Sequence, residues 1–153
     1  MSKLLYNLHS LCLTEAETRR LDAFHVRGLR NVMRIPPSYY SRVSNAVVLE
    51  RANAKTASNV LLERQLLWMG GLATRQDEHV LRRSVFKSGP ERMVPQTPHG
   101  RRKRGRPRKT WSKHVDGHAL QAAGSLDRLH ELWAPGPAAR FEWLGCVREY
   151  CHS

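Results

Sequence analysis

Acidic residues are scarce in this chain of 153 residues, where 13 Asp and Glu stand against 26 Lys and Arg and the formal net charge is +13. The carboxylates of Asp22, Asp77, Asp116 and Asp127 stand in unlike sequence contexts. Two-metal phosphoryl chemistry needs a cluster of carboxylates, so we do not expect it here. A basic excess of this size favours a polyanionic partner, because net charge governs long-range attraction.

Several other features are missing. The three cysteines (Cys12, Cys146 and Cys151) are odd in number and widely spaced, which argues against a disulfide framework and favours a reducing compartment. No apolar run approaches the roughly 18 residues of a membrane span, and the start carries no small-residue cleavage site. A Walker loop, a nucleophile elbow and a dinucleotide fingerprint are absent. We therefore predict no catalytic residues, no enzymatic activity, no cofactor and no membrane contact.

Two histidines have a spacing that can hold a metal. His114 and His118 are four residues apart on a predicted helix, but the zinc-protease pattern needs Glu after the first His, and Val115 stands there. Cys146 and Cys151 near the end lack paired CxxC spacing. We predict no metal site.

The densest feature that is present is the segment GRRKRGRPRK, in which seven of the nine residues 101–109 are basic. Gly and Pro oppose helix formation and like charges repel, so we expect an extended, solvated ribbon. Gly105-Arg106-Pro107 matches the core of an AT-hook, whose proline extends the backbone and whose arginines enter the narrow minor groove of A·T tracts. The predicted nucleic-acid-binding residues are Arg101, Arg102, Lys103, Arg104, Gly105, Arg106, Pro107, Arg108 and Lys109.

Three interpretations of this basic run stay open. It fits contact with DNA or RNA, a nuclear import signal that overlaps with such contact, or a solvated linker without a partner. The charge pattern is more specific for nucleic acid than the Gly-Arg-Pro tripeptide is for A·T preference. We predict a nuclear protein, with the cytoplasm as the alternative.

The sequence before the basic run predicts helices. A capping box at Thr14 and Glu17 starts the first helix, which ends before Pro36. The apolar stripe expected to face its core comprises Leu21, Phe24, Gly28, Leu29, Val32 and Met33. The arginines expected to be solvated or to contact a nucleic-acid backbone are Arg19, Arg20, Arg27, Arg30 and Arg34.

Further helices follow from the same periodicity. Asn45 is expected to cap a helix through about Ala52, a third helix to run from Ser58 to Thr74, and a short one to lie in 77–87. After residue 110, helices are bounded by Gly124, Ser125 and the break Pro135-Gly136-Pro137. The residues on apolar stripes, expected in the core rather than stacked on bases, are Trp68, Trp111, Trp133 and Trp143.

The predicted fold class is all-α. A small helical lobe spans 1–87, a flexible basic linker rich in Pro and Gly spans 88–110, and a second small helical lobe spans 111–153. We also expect an exposed apolar patch in the first lobe, formed by Leu4, Leu5, Leu8 and Leu11.

Four segments, in order, resemble the region that follows the polymerase core of non-LTR (LINE-type) retrotransposon reverse transcriptases. They are KLLYNLHSLCLTEAETRRLDAFHVRGLRNVMRIPPSYYSRVSN, ERQLLWMGGLATR, RGRPRKTWSKHV and ARFEWLGCV. The chain departs from the family pattern at Asn7 (usually Gly), Gly71 (usually His) and His114 (commonly Cys).

The resemblance implies a fragment without catalysis, because the Tyr-x-Asp-Asp polymerase motif of the family lies upstream and nothing here matches it. It also implies contact with template RNA or target DNA, and the missing polymerase domains of the parent element as further partners. Two alternatives remain: a small AT-hook chromatin-associated protein with helical protein-interaction lobes, and a non-functional translated transposon relic.

Overall fold

The computed structural model describes residues 5–76, 78–87 and 110–151. These ranges contain eight α-helices, a short 3-10 helix at Leu8–Ser10 and no strand, so the all-α prediction is confirmed. No helix in this part of the chain is long and apolar enough to cross a membrane. The helices are α1 (Glu15–Val32), α2 (Ser38–Ser41), α3 (Asn45–Arg51), α4 (Ala57–Ala73), α5 (Val80–Val85), α6 (Trp111–Ala123), α7 (Leu126–Leu132) and α8 (Pro137–Tyr150).

The chain divides into two compact units. The small unit is Leu13–Leu61, and the large unit combines Met1–Cys12 with Leu62–Ser153. These boundaries differ from the predicted lobes at 1–87 and 111–153. The difference arises because the segment before Leu13 and the helices on both sides of the predicted linker contribute to one compact unit.

The predicted capping box starts α1. The Thr14 amide donates to Glu17 Oε2 at 2.7 Å, and the Glu17 amide donates to Thr14 Oγ1 at 3.3 Å. These hydrogen bonds from Thr14 hold the pKa of the Glu17 carboxyl below its ordinary value. The predicted start of the first helix is confirmed.

The end of α1 is a Schellman turn with an unusual residue in it. The Ile35 amide donates to the Arg30 carbonyl at 2.9 Å, and Arg34 takes a left-handed conformation with φ of 55°. Glycine is the usual residue at that place, because a Cβ crowds the left-handed backbone. The helix ends before Pro36, as predicted.

The predicted apolar stripe of α1 is only partly buried, because Leu21, Leu29 and Met33 are half-buried and the rest are exposed. The buried side chains are His25, Val26 and Arg30, whereas Phe24 and Val32 are 60% and 82% exposed. The buried face is partly polar, because polar side chains on it make the contacts that close the small unit. One of these is Asp22, whose carboxylate accepts a hydrogen bond from the Ser58 amide at 2.8 Å.

The cap of α3 lies one residue earlier than predicted. Ser44 Oγ accepts a hydrogen bond from the Val47 amide at 3.3 Å and is the N-cap. Asn45 is instead an acceptor for Arg30. The third predicted helix is confirmed to within one residue at each end, as α4.

The core of the large unit is built around tryptophan. Trp133 and Trp143 are buried with their rings 5.8 Å apart, and Trp68 and Trp111 pack against the same core, so the prediction that the tryptophans are core residues is confirmed. The remaining buried members of this core are Leu66, Met69, Leu72, Ala73, Val85, Phe86, Val115, Ala119, Ala123, Leu129, Leu132, Val147 and Cys151.

A glycine in α4 permits this packing. A Cβ at Gly70 would lie 2.7 Å from Trp143 Cδ1 and closer still to the indole nitrogen, which donates to the Leu66 carbonyl at 3.3 Å. The neighbouring Gly71 has open space around it. The helix α4 continues through both glycines to Ala73.

The predicted helix breaks after residue 110 are confirmed. Gly124 ends α6 with φ of 81°, and Ser125 Oγ caps α7 by accepting from the Arg128 amide at 3.2 Å. Pro137 lies in the first turn of α8, where its missing amide hydrogen costs nothing.

The prediction of an exposed apolar patch at the N-terminus is wrong for Leu5 and Leu8. Leu5 is fully buried and Leu8 is half-buried, while Leu11 is exposed and Leu4 lies outside the described residues. The segment packs within the large unit, since Gln65 Nε2 donates to the Leu11 carbonyl at 2.9 Å.

Candidate nucleic-acid interface

The predicted binding residues 101–109, with the rest of the 88–109 stretch, lie outside the described residues. Their attachment points, however, are on either side of that stretch and are described. Phe86 and Lys87 precede it, and Thr110 and Trp111 follow it. The candidate interface is therefore defined structurally by its two anchors.

The C-terminal anchor is Trp111, the first residue of α6. Its indole nitrogen donates to the His9 carbonyl at 2.7 Å, and its ring meets Trp68 edge to face at 4.9 Å. The extended Thr110 immediately before it is the N-cap position. In the sequence, only Thr110 lies between Lys109 and Trp111, whose side chain packs in the large unit.

The N-terminal anchor is Phe86, directly after α5. Its ring is buried against Trp133 with centroids 5.8 Å apart, and the Arg82 guanidinium lies 5.9 Å from its centroid. Arg82 also donates to the Ala73 carbonyl at the end of α4. The following Lys87 is exposed, so the chain leaves the core there.

Both anchors belong to the same core. Phe86 is one of its buried members and Trp111 packs against it. The described residues on either side of the stretch 88–109 thus contact one core. The predicted linker at 88–110 lies, except for Thr110, outside the described residues and stays a prediction.

Arginines outside the basic run divide into two kinds. Arg30 is only 7% exposed, and its guanidinium donates to Pro36 O at 3.0 Å, Val43 O at 2.6 Å and Asn45 Oδ1 at 3.0 Å. It stabilises the chain that follows α1, so the expectation of a solvated or backbone-contacting side chain is wrong for Arg30. Three arginines of α1 and one just after it are exposed: Arg19, Arg20, Arg27 and Arg34.

A histidine is buried one turn from Arg30. Burial lowers the pKa of His25, and the nearby charge of Asp22 partly opposes this effect. Its Nδ1 is buried and makes no hydrogen bond within the described residues. The neutral form of His25 is therefore favoured in the folded small unit.

His114 and His118 contact each other instead of converging on an ion. Their rings meet edge to face at 4.8 Å, and His118 Nδ1 lies 2.8 Å from the Tyr150 hydroxyl. Burial raises the pKa of Tyr150. In the described ranges, no three His, Cys, Asp or Glu side chains lie close enough to hold a metal.

Sequence reasoning missed one exposed aromatic pair. Tyr39 and Tyr40 are 70% and 73% exposed, with ring centroids 4.2 Å apart. The usable signal was Pro36-Pro37 before them and the lack of an apolar periodicity around them.

A comparison with protein-family models, with curated proteins and with solved structures finds no match to this chain.

Proposed function

We propose that this chain is a nucleic-acid-binding protein without catalytic activity, which contacts the phosphate backbone of DNA or RNA through residues 101–109. We further propose that it is a fragment of a non-LTR retrotransposon reverse transcriptase, from the region after the polymerase core, and that it acts in the nucleus.

The observation that carries the proposal is the charge density of the run. Seven charges in nine residues match the closely spaced phosphates of a nucleic acid better than they match any apolar partner. The anchors Phe86 and Trp111 support it, because they attach both ends of the intervening chain to one packed core.

The proposed origin rests on the four family-like segments and on their order. Among them, RGRPRKTWSKHV joins the basic run to Trp111. The absence of a match to the Tyr-x-Asp-Asp motif supports the proposal that the chain does not polymerise. We expect the purified chain to give no primer extension on an RNA template.

The salt dependence of duplex binding tests the backbone contact. If all seven charges met phosphates, log K would fall against log salt with a slope of about −6, and we expect about −3 to −6 because some arginines enter the groove. Replacing Arg104, Arg106 and Arg108 with Ala should flatten the slope by about 2 to 3. An unchanged slope in this triple variant would remove the basic run from the binding site.

Preference for A·T sequence is a narrower part of the proposal. It rests on Gly105-Arg106-Pro107, whose proline presets the extended backbone. Pro107→Ala keeps all the charges, so it should reduce discrimination between A·T-rich and G·C-rich duplexes more than it reduces total affinity. If A·T-rich and G·C-rich duplexes competed equally well for the unsubstituted chain, the A·T preference would be wrong and the chain would bind phosphates without regard to sequence.

A further inference from the structure

The exposed pair Tyr39 and Tyr40 lies on the single turn of helix α2, and hydrogen bonds from Ser41 connect this turn to the two prolines before it. Ser41 Oγ donates to the Pro36 carbonyl at 3.0 Å and to the Pro37 carbonyl at 3.2 Å. The same Pro36 carbonyl accepts from the buried Arg30 guanidinium. The two prolines also fix their own φ angles. The aromatic pair is thus displayed on a backbone that has little conformational freedom left to lose on binding.

Basic side chains flank this turn in the sequence. Arg34 precedes it and Arg42 follows it, and both are exposed and have positive φ values of 55° and 57°. Residues 13–61 contain eight basic and four acidic residues, a formal charge of +4. Two of the four carboxylates, Glu17 and Asp22, already accept backbone hydrogen bonds. The surroundings of the tyrosines therefore favour an anionic partner.

Exposed rings together with arginines suit one form of nucleic acid best. In a duplex the faces of the bases are covered by their neighbours, whereas a single strand offers them for stacking on aromatic side chains. Every base has such a face, so binding of this kind tolerates any sequence. The small unit has no other aromatic pair in contact among its described residues.

We propose that Tyr39 and Tyr40 form a stacking platform for single-stranded nucleic acid, with Arg34 and Arg42 contacting its phosphates. This surface belongs to the small unit, does not include residues 101–109, and would extend the proposed function to a second binding site. The chain would then hold a duplex through its basic run and an unpaired strand through the small unit.

The test compares two double variants of the full chain, using oligo-dT and oligo-U of 20 nucleotides as single strands and a 20-base-pair duplex. Tyr39→Ala with Tyr40→Ala should weaken single-strand binding by at least about tenfold, from the loss of stacking, and change duplex binding by less than about twofold. Tyr39→Phe with Tyr40→Phe keeps both rings and should bind both ligands as the unsubstituted chain does. Single-strand binding that is equal in the Ala and Phe variants would overturn the proposal.

A second measurement needs no substitution. Acetylation of tyrosine hydroxyls in the unsubstituted chain should be slowed at Tyr39 and Tyr40 by saturating oligo-dT. Equal acetylation with and without oligo-dT would contradict stacking there. The two proposals can fail separately. If the substitutions at the basic run did not change the salt dependence of duplex binding, the effect of the tyrosine substitutions on single-strand binding could still be observed. If the tyrosine substitutions had no effect, duplex binding through the basic run could still be observed.

Discussion

The large unit gathers its four tryptophans in and around one core, whereas the small unit exposes Phe24, Tyr39 and Tyr40 and buries Arg30. The buried apolar residues of the small unit are few and mostly small: Val26, Val48, Ala57 and Leu61. A core of that size stabilises a fold only weakly. Hydrogen bonds from the Arg30 guanidinium add stabilisation that this small apolar core does not provide, and the aromatic rings stay exposed.

The largest effect should come from removing the buried guanidinium. Arg30→Ala leaves three acceptors without their charged donor, and we expect a loss of about 3 kcal/mol in the free energy of unfolding. Arg27→Ala, on the exposed face of the same helix, should change it by less than about 0.5 kcal/mol. Urea unfolding followed by far-ultraviolet circular dichroism compares the two. Similar losses in both variants would show that Arg30 has no special structural role.

The next effect concerns the tryptophan core. Gly70→Ala places a methyl group against the Trp143 ring and should destabilise the large unit by about 2 kcal/mol. Gly71→Ala meets open space in the same helix and should stabilise it by about 0.5 to 1 kcal/mol, because Ala favours helix. Tryptophan fluorescence reports on this unit alone, since all four tryptophans belong to it. If Gly70→Ala left the stability of the large unit unchanged, the Trp143 ring would be able to move away from the new methyl group without an energetic cost.

A smaller gain is expected at the end of α1. Arg34→Gly should raise the free energy of unfolding by about 1 kcal/mol, because glycine adopts the left-handed backbone without the Cβ penalty. The same change at Arg27, inside the helix, should lower it by about 1 kcal/mol. If both glycines destabilise equally, the conformation of Arg34 is not a source of strain.

The smallest effect is a pH dependence of the small unit. Burial lowers the pKa of His25 in the folded state below its ordinary value of 6.5, so the unfolded chain binds the proton more readily. Stability should therefore be highest above pH 6.5 and should fall as the pH drops through 6.5 toward that lowered pKa. His25→Gln should flatten this part of the profile between pH 7.5 and pH 5.5. A profile identical to that of the unsubstituted chain would assign the dependence to other groups.

Local signals in the sequence predicted helix boundaries well. Thr14, Ser125 and Gly124 act within one helix turn of their own position, so their residue types suffice. The orientation of α1 was not predictable in the same way. Phe24 and Val32 looked like core residues by spacing, but the polar contacts of Asp22 and Arg30 determine which face is buried.

The arrangement around the candidate interface also depends on distant contacts. Trp111 donates to the carbonyl of His9, about a hundred residues earlier in the chain, and no local pattern encodes that pairing. The basic segment was predicted as a linker because it is rich in proline and glycine. The charge of the basic segment, by contrast, follows from residue types alone, so the sequence suffices to predict residues 101–109 as binding residues.

The most direct test of the account asks whether position or net charge governs binding. One variant of the full chain replaces Arg104, Arg106 and Arg108 with Ala. The charge-matched variant replaces three exposed arginines of the large unit with Ala, namely Arg83, Arg140 and Arg148. Both variants carry a formal charge of +10.

Duplex affinity is measured by fluorescence anisotropy at physiological salt, where charges more than about 8 Å apart are largely screened. The account predicts that the substitutions at 104, 106 and 108 weaken binding by at least about tenfold, while the matched variant stays within about twofold of the unsubstituted chain. Equal losses in the two variants would contradict it, since binding would then follow net charge and not the basic run.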